Sequence, residues 1–154
     1  MPLSKITRLR GGTNNSGPAT LAMQGASGDG AGFVHTEVFG IAGVAAATEI
    51  TRATGTGANG FRMLIDVTAT GHTGSQNNAH HIGKYYWDGG TNAVQIISVD
   101  EPTSHQIDIT FDTSTSNVCI VKLTSSSGTN GFNGVMEVKW YVPIDFASST
   151  WTIS

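Results

Sequence analysis

At 154 residues the chain is long enough for one domain that buries roughly two thirds of its unfolded surface. Charged residues make up only 12% of it and the net charge is −3, which argues against a nucleic-acid binder. The single cysteine, Cys119, excludes an intrachain disulfide or a thiolate metal cluster. No stretch approaches the ~20 apolar residues of a membrane span, so no membrane insertion is expected.

In chain order, residues 1–32 read as an extended N-terminal docking arm and Gly-rich linker ahead of a domain at 33–154. Lys5, Arg8 and Arg10 are three of the eight basic residues, and no acid stands among the first ten. Gly, Asn, Ser and Ala then dominate to residue 32, with no period long enough for an element. A basic arm on an acidic protein suits docking through Lys5, Arg8 and Arg10. An untethered terminus with scattered charge explains the same residues equally well. No apolar run of signal-peptide length follows the basic start, so no export leader is expected.

From residue 33 onward, strand-like runs alternate with Gly-rich turns. Residues 33–39 put Phe33, His35, Glu37 and Phe39 on one side and Val34, Thr36 and Val38 on the other. Gly40 and Gly43 bracket a break, and residues 45–53 read as a strand from their length and flanks. Residues 55–60 match GxGxxG, but a strand pattern follows where a phosphate site needs a helix, so a hairpin loop is predicted. Residues 61–70 alternate well, with Leu64 the exception. A polar loop at 71–79 leads to an aromatic strand at 80–87, ended by the turn Asp88-Gly89-Gly90. Residues 93–99 form another strand.

The pattern is cleanest from residue 105 to 142. Ile107, Ile109 and Phe111 alternate with Asp108, Thr110 and Asp112, and Met136, Val138, Trp140 and Val142 alternate with Glu137, Lys139 and Tyr141. Between them Val118, Cys119, Ile120, Val121 and Leu123 read as a central strand covered on both faces. Cys119 there reads as a small buried hydrophobe. About eight short strands with no helix predict an all-β chain, an antiparallel β-sandwich of jelly-roll-like type. Phe146 and Trp151 in the tail are expected to pack on the domain or on a neighbouring subunit.

No motif announces a reaction. Asp108 and Asp112 lie about 13 Å apart along one strand, too far for paired-carboxylate sugar chemistry. His80 and His81 fall on opposite faces of a strand and cannot readily share a metal. GxSxG is absent. The best binding candidates are Tyr86, Trp87 and Asp88, where rings beside a Gly turn suit sugar faces and hydroxyls. The competing reading buries these rings in the sandwich or at a subunit contact, as most large rings are.

The opening Met1-Pro2-Leu3-Ser4-Lys5-Ile6 resembles the start of small structural proteins of tailed bacteriophages, especially fibre-like proteins of marine and cyanobacterial phages. Residues 61–71 (FRMLIDVTATG) resemble the first long strand of fibre-tip β-domains. The resemblance implies a non-enzymatic virion protein without cofactor or metal, assembled in the host cytoplasm. It would be a short receptor-binding appendage, docked to other virion proteins through the arm and homotrimeric through the β-domain. No shaft repeat is present, so a capsid decoration protein that stabilises the head is an alternative. A stand-alone carbohydrate-binding module using Tyr86, Trp87 and Asp88 on a host-surface glycan is another.

Overall fold

The computed structural model describes residues 5–9, 21–24, 32–56, 62–74, 77–101, 107–125, 131–143 and 150–154. Among these residues eleven strands follow one another: β1 (Lys5–Leu9), β2 (Leu21–Gln24), β3 (Gly32–Val44), β4 (Thr48–Thr56), β5 (Arg62–Thr73), β6 (Asn77–Asp88), β7 (Ala93–Asp100), β8 (Ile107–Asp112), β9 (Val118–Ser125), β10 (Phe132–Pro143) and β11 (Thr150–Ile153). They form two packed sheets, six-stranded in the order β1-β3-β10-β5-β6-β7 and five-stranded in the order β2-β11-β4-β9-β8. The protein is an all-β sandwich, and every pairing is antiparallel except β1 with β3.

The winding is half that of a jelly roll. The chain crosses between sheets from β3 to β4 and returns from β9 to β10, so β3 pairs with β10 and β4 with β9. The other half departs from that pattern: β5, β6 and β7 run as a meander in one sheet.

The period-two reading locates the core. Met136, Val138, Trp140 and Val142 are all buried, as are Met63, Ile65, Val67 and Ala69 on β5. Leu64, the odd residue of that run, is 44% exposed on the outer face. In the tail, Trp151 packs edge-on to Trp87 across the sandwich, with ring centroids 5.8 Å apart. Phe146 lies outside the described residues.

Three expectations need correction. Residues 118–124 are not covered on both faces: Cys119, Val121 and Leu123 are buried, while Val118, Ile120, Lys122 and Thr124 are only half-buried. A two-layer sandwich has no third layer to cover β9 from outside. The break between Gly40 and Gly43 does not end the strand, because β3 runs on to Val44. The irregularity is a bulge on β3, where Ala42 and Gly43 (φ +69°) stand opposite the single residue Asn133 of β10. The 71–79 loop is shorter than predicted, since β5 extends to Thr73 and β6 begins at Asn77.

Two strands also fall within residues 1–32. β1 lies beside β3 with Lys5 opposite Val34 and Arg8 opposite Glu37, and β2 lies beside β11. Arg10 is outside the described residues.

Burial pushes the Cys119 thiol up to about 12, so little nucleophilic thiolate forms in the folded protein. Iodoacetamide at pH 8 is expected to leave Cys119 unmodified until denaturant unfolds the chain. Rapid stoichiometric alkylation of the native protein would contradict this burial.

Candidate functional site

The outer face of the six-stranded sheet carries the best binding surface. Directly opposed residues of neighbouring strands share a face. The registers therefore line up one row across β3, β10, β5 and β6: Val34, Tyr141, Leu64 and Tyr86. Beside it runs a polar row of Thr36, Lys139, Asp66, Lys84 and Ser98. Tyr141 donates its hydroxyl hydrogen to Asp66 Oδ2 at 2.9 Å, and Lys84 Nζ lies 3.6 Å from the same oxygen. The Asp66 contact also holds the Tyr141 hydroxyl above its ordinary pKa. Tyr86 and Tyr141, two strands apart, are separated by about 10 Å of backbone. The surface is thus a shallow aromatic and aliphatic strip with a hydrogen-bonding margin.

Of the three residues singled out from the sequence, Tyr86 lies on this strip, half-buried. Asp88 is on the same face, but its Oδ1 accepts from the backbone N–H of Gly90 at 2.8 Å and Thr91 at 3.4 Å. Its carboxylate closes the β6–β7 turn. Trp87 must be withdrawn as a glycan contact. Strand alternation points it inward, where it is fully buried opposite Met63.

All seven exposed large apolar side chains of the described residues belong to this sheet: Leu64, Ile82, Ile96, Ile97, Val99, Val135 and Tyr141. The five-stranded sheet instead presents Glu49, Arg52, Lys122, Thr124, Asp108 and Asp112 on its outer face. Lys122 pairs with Asp112 at 2.7 Å and Arg52 with Glu49 at 2.6 Å. Charged pairs occur on both outer faces, with Lys84–Asp66 and Lys139–Glu137 on the six-stranded sheet, but the exposed large apolar side chains of the described residues belong to that sheet alone.

Sequence reasoning missed a second cluster, inside the sandwich. His81, Gly83 and Tyr85 share the inner face of β6. Gly83 leaves room for the Tyr85 ring, since a Cβ there would sit 2.5 Å from the Tyr85 hydroxyl. The hydroxyl donates to His81 Nε2 at 2.6 Å, and His81 Nδ1–H donates to Glu101 Oε2 at 3.2 Å. The carboxylate can only accept, which fixes this tautomer. Tyr85 also packs on Phe111 of β8, with centroids 4.5 Å apart. A carboxylate–imidazole–hydroxyl chain has the order of a proton relay, but Tyr85 is only 2% exposed. It acts as an internal clasp. The signal in the sequence was the His-x-Gly-x-Tyr spacing, which puts all three side chains on one face of a strand.

Burial is the main cause of a lowered His81 pKa, opposed in part by Glu101. The unfolded chain takes up this proton near pH 6.5, whereas the folded one resists it to lower pH. The stabilisation is therefore complete above pH 6.5 and lost as pH falls toward the folded value. The urea midpoint is expected to fall between pH 7 and pH 5, and to fall less in a His81→Gln variant. Equal slopes in the two proteins would contradict the assignment.

A further buried polar group lies on β3. His35 Nε2 is 3.3 Å from Glu37 Oε1, and Thr51 donates to Glu37 Oε2 at 2.8 Å. The His35–Glu37 contact is an ion-pair distance and not an aligned hydrogen bond; among the described residues neither His35 ring nitrogen nor Nε1 of the directly opposed Trp140 makes a hydrogen bond. Elsewhere, His80 is exposed and His81 buried, on opposite faces of β6. Among the described residues no group of three or more His, Cys, Asp or Glu side chains is placed to hold a metal ion.

Comparison with known proteins adds no relative: no family model matches the sequence, and no curated protein or solved structure matches it significantly.

Proposed function

We propose that the chain is a structural virion subunit of a tailed phage, a short receptor-binding appendage. It docks through residues 1–32 and is homo-oligomeric through its β-domain, with the trimer that the resemblance implies. The observation that supports an assembly role is the uneven distribution of apolar surface: among the described residues every exposed large apolar side chain belongs to the six-stranded sheet. Exposed apolar side chains gathered on one sheet mark a contact side. The reading is non-enzymatic; in the relay-like cluster described above His81 and Tyr85 are buried, and Glu101 is partly exposed at its rim.

The docking role rests on the basic residues of the arm. Reversing Lys5 and Arg10 to glutamate is expected to abolish incorporation into particles while leaving a folded oligomer. Normal incorporation would refute docking through this segment.

The aromatic strip favours a second reading, a carbohydrate-binding module, because Tyr141, Leu64 and Tyr86 offer ring faces beside the polar margin of Asp66 and Lys84. A glycan array separates the two. Binding lost in Tyr86→Ala would favour the module, and a blank array for the unaltered protein would dismiss it.

A further inference from the structure

We infer that β7 pairs edge to edge, antiparallel, with β7 of a second copy, about a two-fold axis between Ile96 and Ile97. β7 ends the six-stranded sheet, so one side of its backbone faces away from β6 with no strand beside it among the described residues. It also overhangs the sandwich. The five-stranded sheet ends at β8, which packs beneath β6 through Phe111 and Tyr85. Of the inward-facing side chains of β7 only Val94 packs on the core, while Ile96 stays 70% and Val99 37% exposed, with Ile97 at 55%.

Edge strands are ordinarily guarded by charge, proline or cover. β8, the corresponding edge of the other sheet, carries Asp108 and Asp112 in six residues. β7 carries no charge until Asp100 and no proline. Its bulge, where Ile97 has no partner on β6, is itself a device that can blunt an edge. Here the bulge has the opposite consequence, as the faces show.

The occupant follows from the order of residues. Antiparallel pairing about a point between Ile96 and Ile97 sets Ile96 opposite the second copy's Ile97, Val94 opposite Val99, Gln95 opposite Ser98 and Ala93 opposite Asp100. In the three inner pairs apolar meets apolar and polar meets polar, only the end pair sets Ala93 against Asp100, and no like charges meet. An axis through Ile96 or Ile97 would oppose Gln95 to Ile97 or to Val99. The faces agree too. Val94 and Val99 stand opposite Trp87 and Gly83 on the inner face, while Gln95 and Ser98 stand opposite Tyr86 and Lys84 on the outer one. In an unbroken strand, residues separated by an odd number would point to opposite faces. The extra residue at 97 restores the match, so one two-fold operation superposes both faces. This is an isologous, self-complementary contact. It goes beyond the virion reading and does not depend on it: together with the trimer proposed above it makes a hexamer, two trimers joined through β7 edges, and the Tyr141–Leu64–Tyr86 strip lies away from this edge.

Disulfide trapping tests the register. Directly opposed residues have Cα atoms about 4.5–5.5 Å apart, within disulfide reach. Under mild oxidation, the Gln95→Cys/Ser98→Cys double variant is expected to form a covalent dimer. The Gln95→Cys/Val99→Cys variant and each single variant should stay unlinked. Equal or reversed trapping would overturn the pairing. In native mass measurement the unaltered protein should be an even multiple of the 16.0 kDa chain, halved by Ile96→Asp with an unchanged circular-dichroism spectrum. Ile96 is too exposed to be needed for folding. An odd-numbered assembly, or a mass that Ile96→Asp leaves unmoved, would overturn the pairing while the virion reading stands. Normal incorporation of the arm variant would refute docking and leave the pairing intact.

Discussion

Trp87→Ala is expected to cost about 3–5 kcal/mol of stability, the range for emptying a large aromatic site in a packed core. Domains of this kind hold only about 5–15 kcal/mol in all, so the variant should be close to unfolding at 37 °C. Trp87 is fully buried, meets Trp151 edge-on, and so links β6 to β11 in the other sheet. Its Nε1–H donates to Asn92 Oδ1 at 3.4 Å, while Asn92 Nδ2 donates to the carbonyls of Thr113 and Thr115, and Thr113 Oγ1 donates back to Asn92 O at 2.8 Å. The indole thus anchors a clasp between the β6–β7 and β8–β9 turns, and Asn92 takes the left-handed conformation (φ 52°) that the turn requires. Trp87→Phe, which keeps a ring but loses the donor, should recover most of the loss. Urea unfolding measures both, and a Trp87→Ala loss below about 1 kcal/mol would contradict the packing.

Gly71→Ala is expected to be nearly as damaging, at about 3 kcal/mol, the upper end of overpacking costs. Gly71 faces Gly134 across β5 and β10, next to the bulge. An added Cβ would lie 2.1 Å from the Asn133 carbonyl oxygen and 2.7 Å from Gly134 Cα. Both are backbone atoms, so no rotamer change relieves the overlap and the strands must separate. Gly40→Ala is the control: nothing lies within 4 Å of its Cβ position, and the change should be neutral or slightly stabilising. Equal melting temperatures for the two variants would contradict the close approach of β5 and β10.

The sandwich was legible because two-residue alternation is a backbone property, visible wherever one face is buried. Met136 to Val142 and Met63 to Ala69 behave as their spacing demands. Elsewhere hydropathy is a poor guide to which face is inside. On β3 the polar pair His35 and Glu37 points inward with Phe39, while Val34 and Val38 are only half-buried, because Glu37 finds Thr51 inside. On β9 an apolar run gave the impression of burial on both faces, where a two-layer fold provides only one. Of the candidate site, the alternation that exposes Tyr86 also buries Trp87. Nothing local to Tyr86 signals that Leu64 and Tyr141 stand in register beside it, since those pairings join residues distant in sequence. The Glu101–His81–Tyr85 chain was hidden for the same reason, its carboxylate lying on the far side of the β6–β7 hairpin.

Hydroxyl-radical footprinting of concentrated against highly diluted protein asks directly whether the six-stranded sheet is the contact side. Labelling of Ile82, Ile96 and Tyr141 is expected to fall in the concentrated sample, while Val118 and Ile120 on the five-stranded sheet label equally in both. Protection confined to Val118 and Ile120, with the six-stranded sheet labelled alike at both concentrations, would contradict the account.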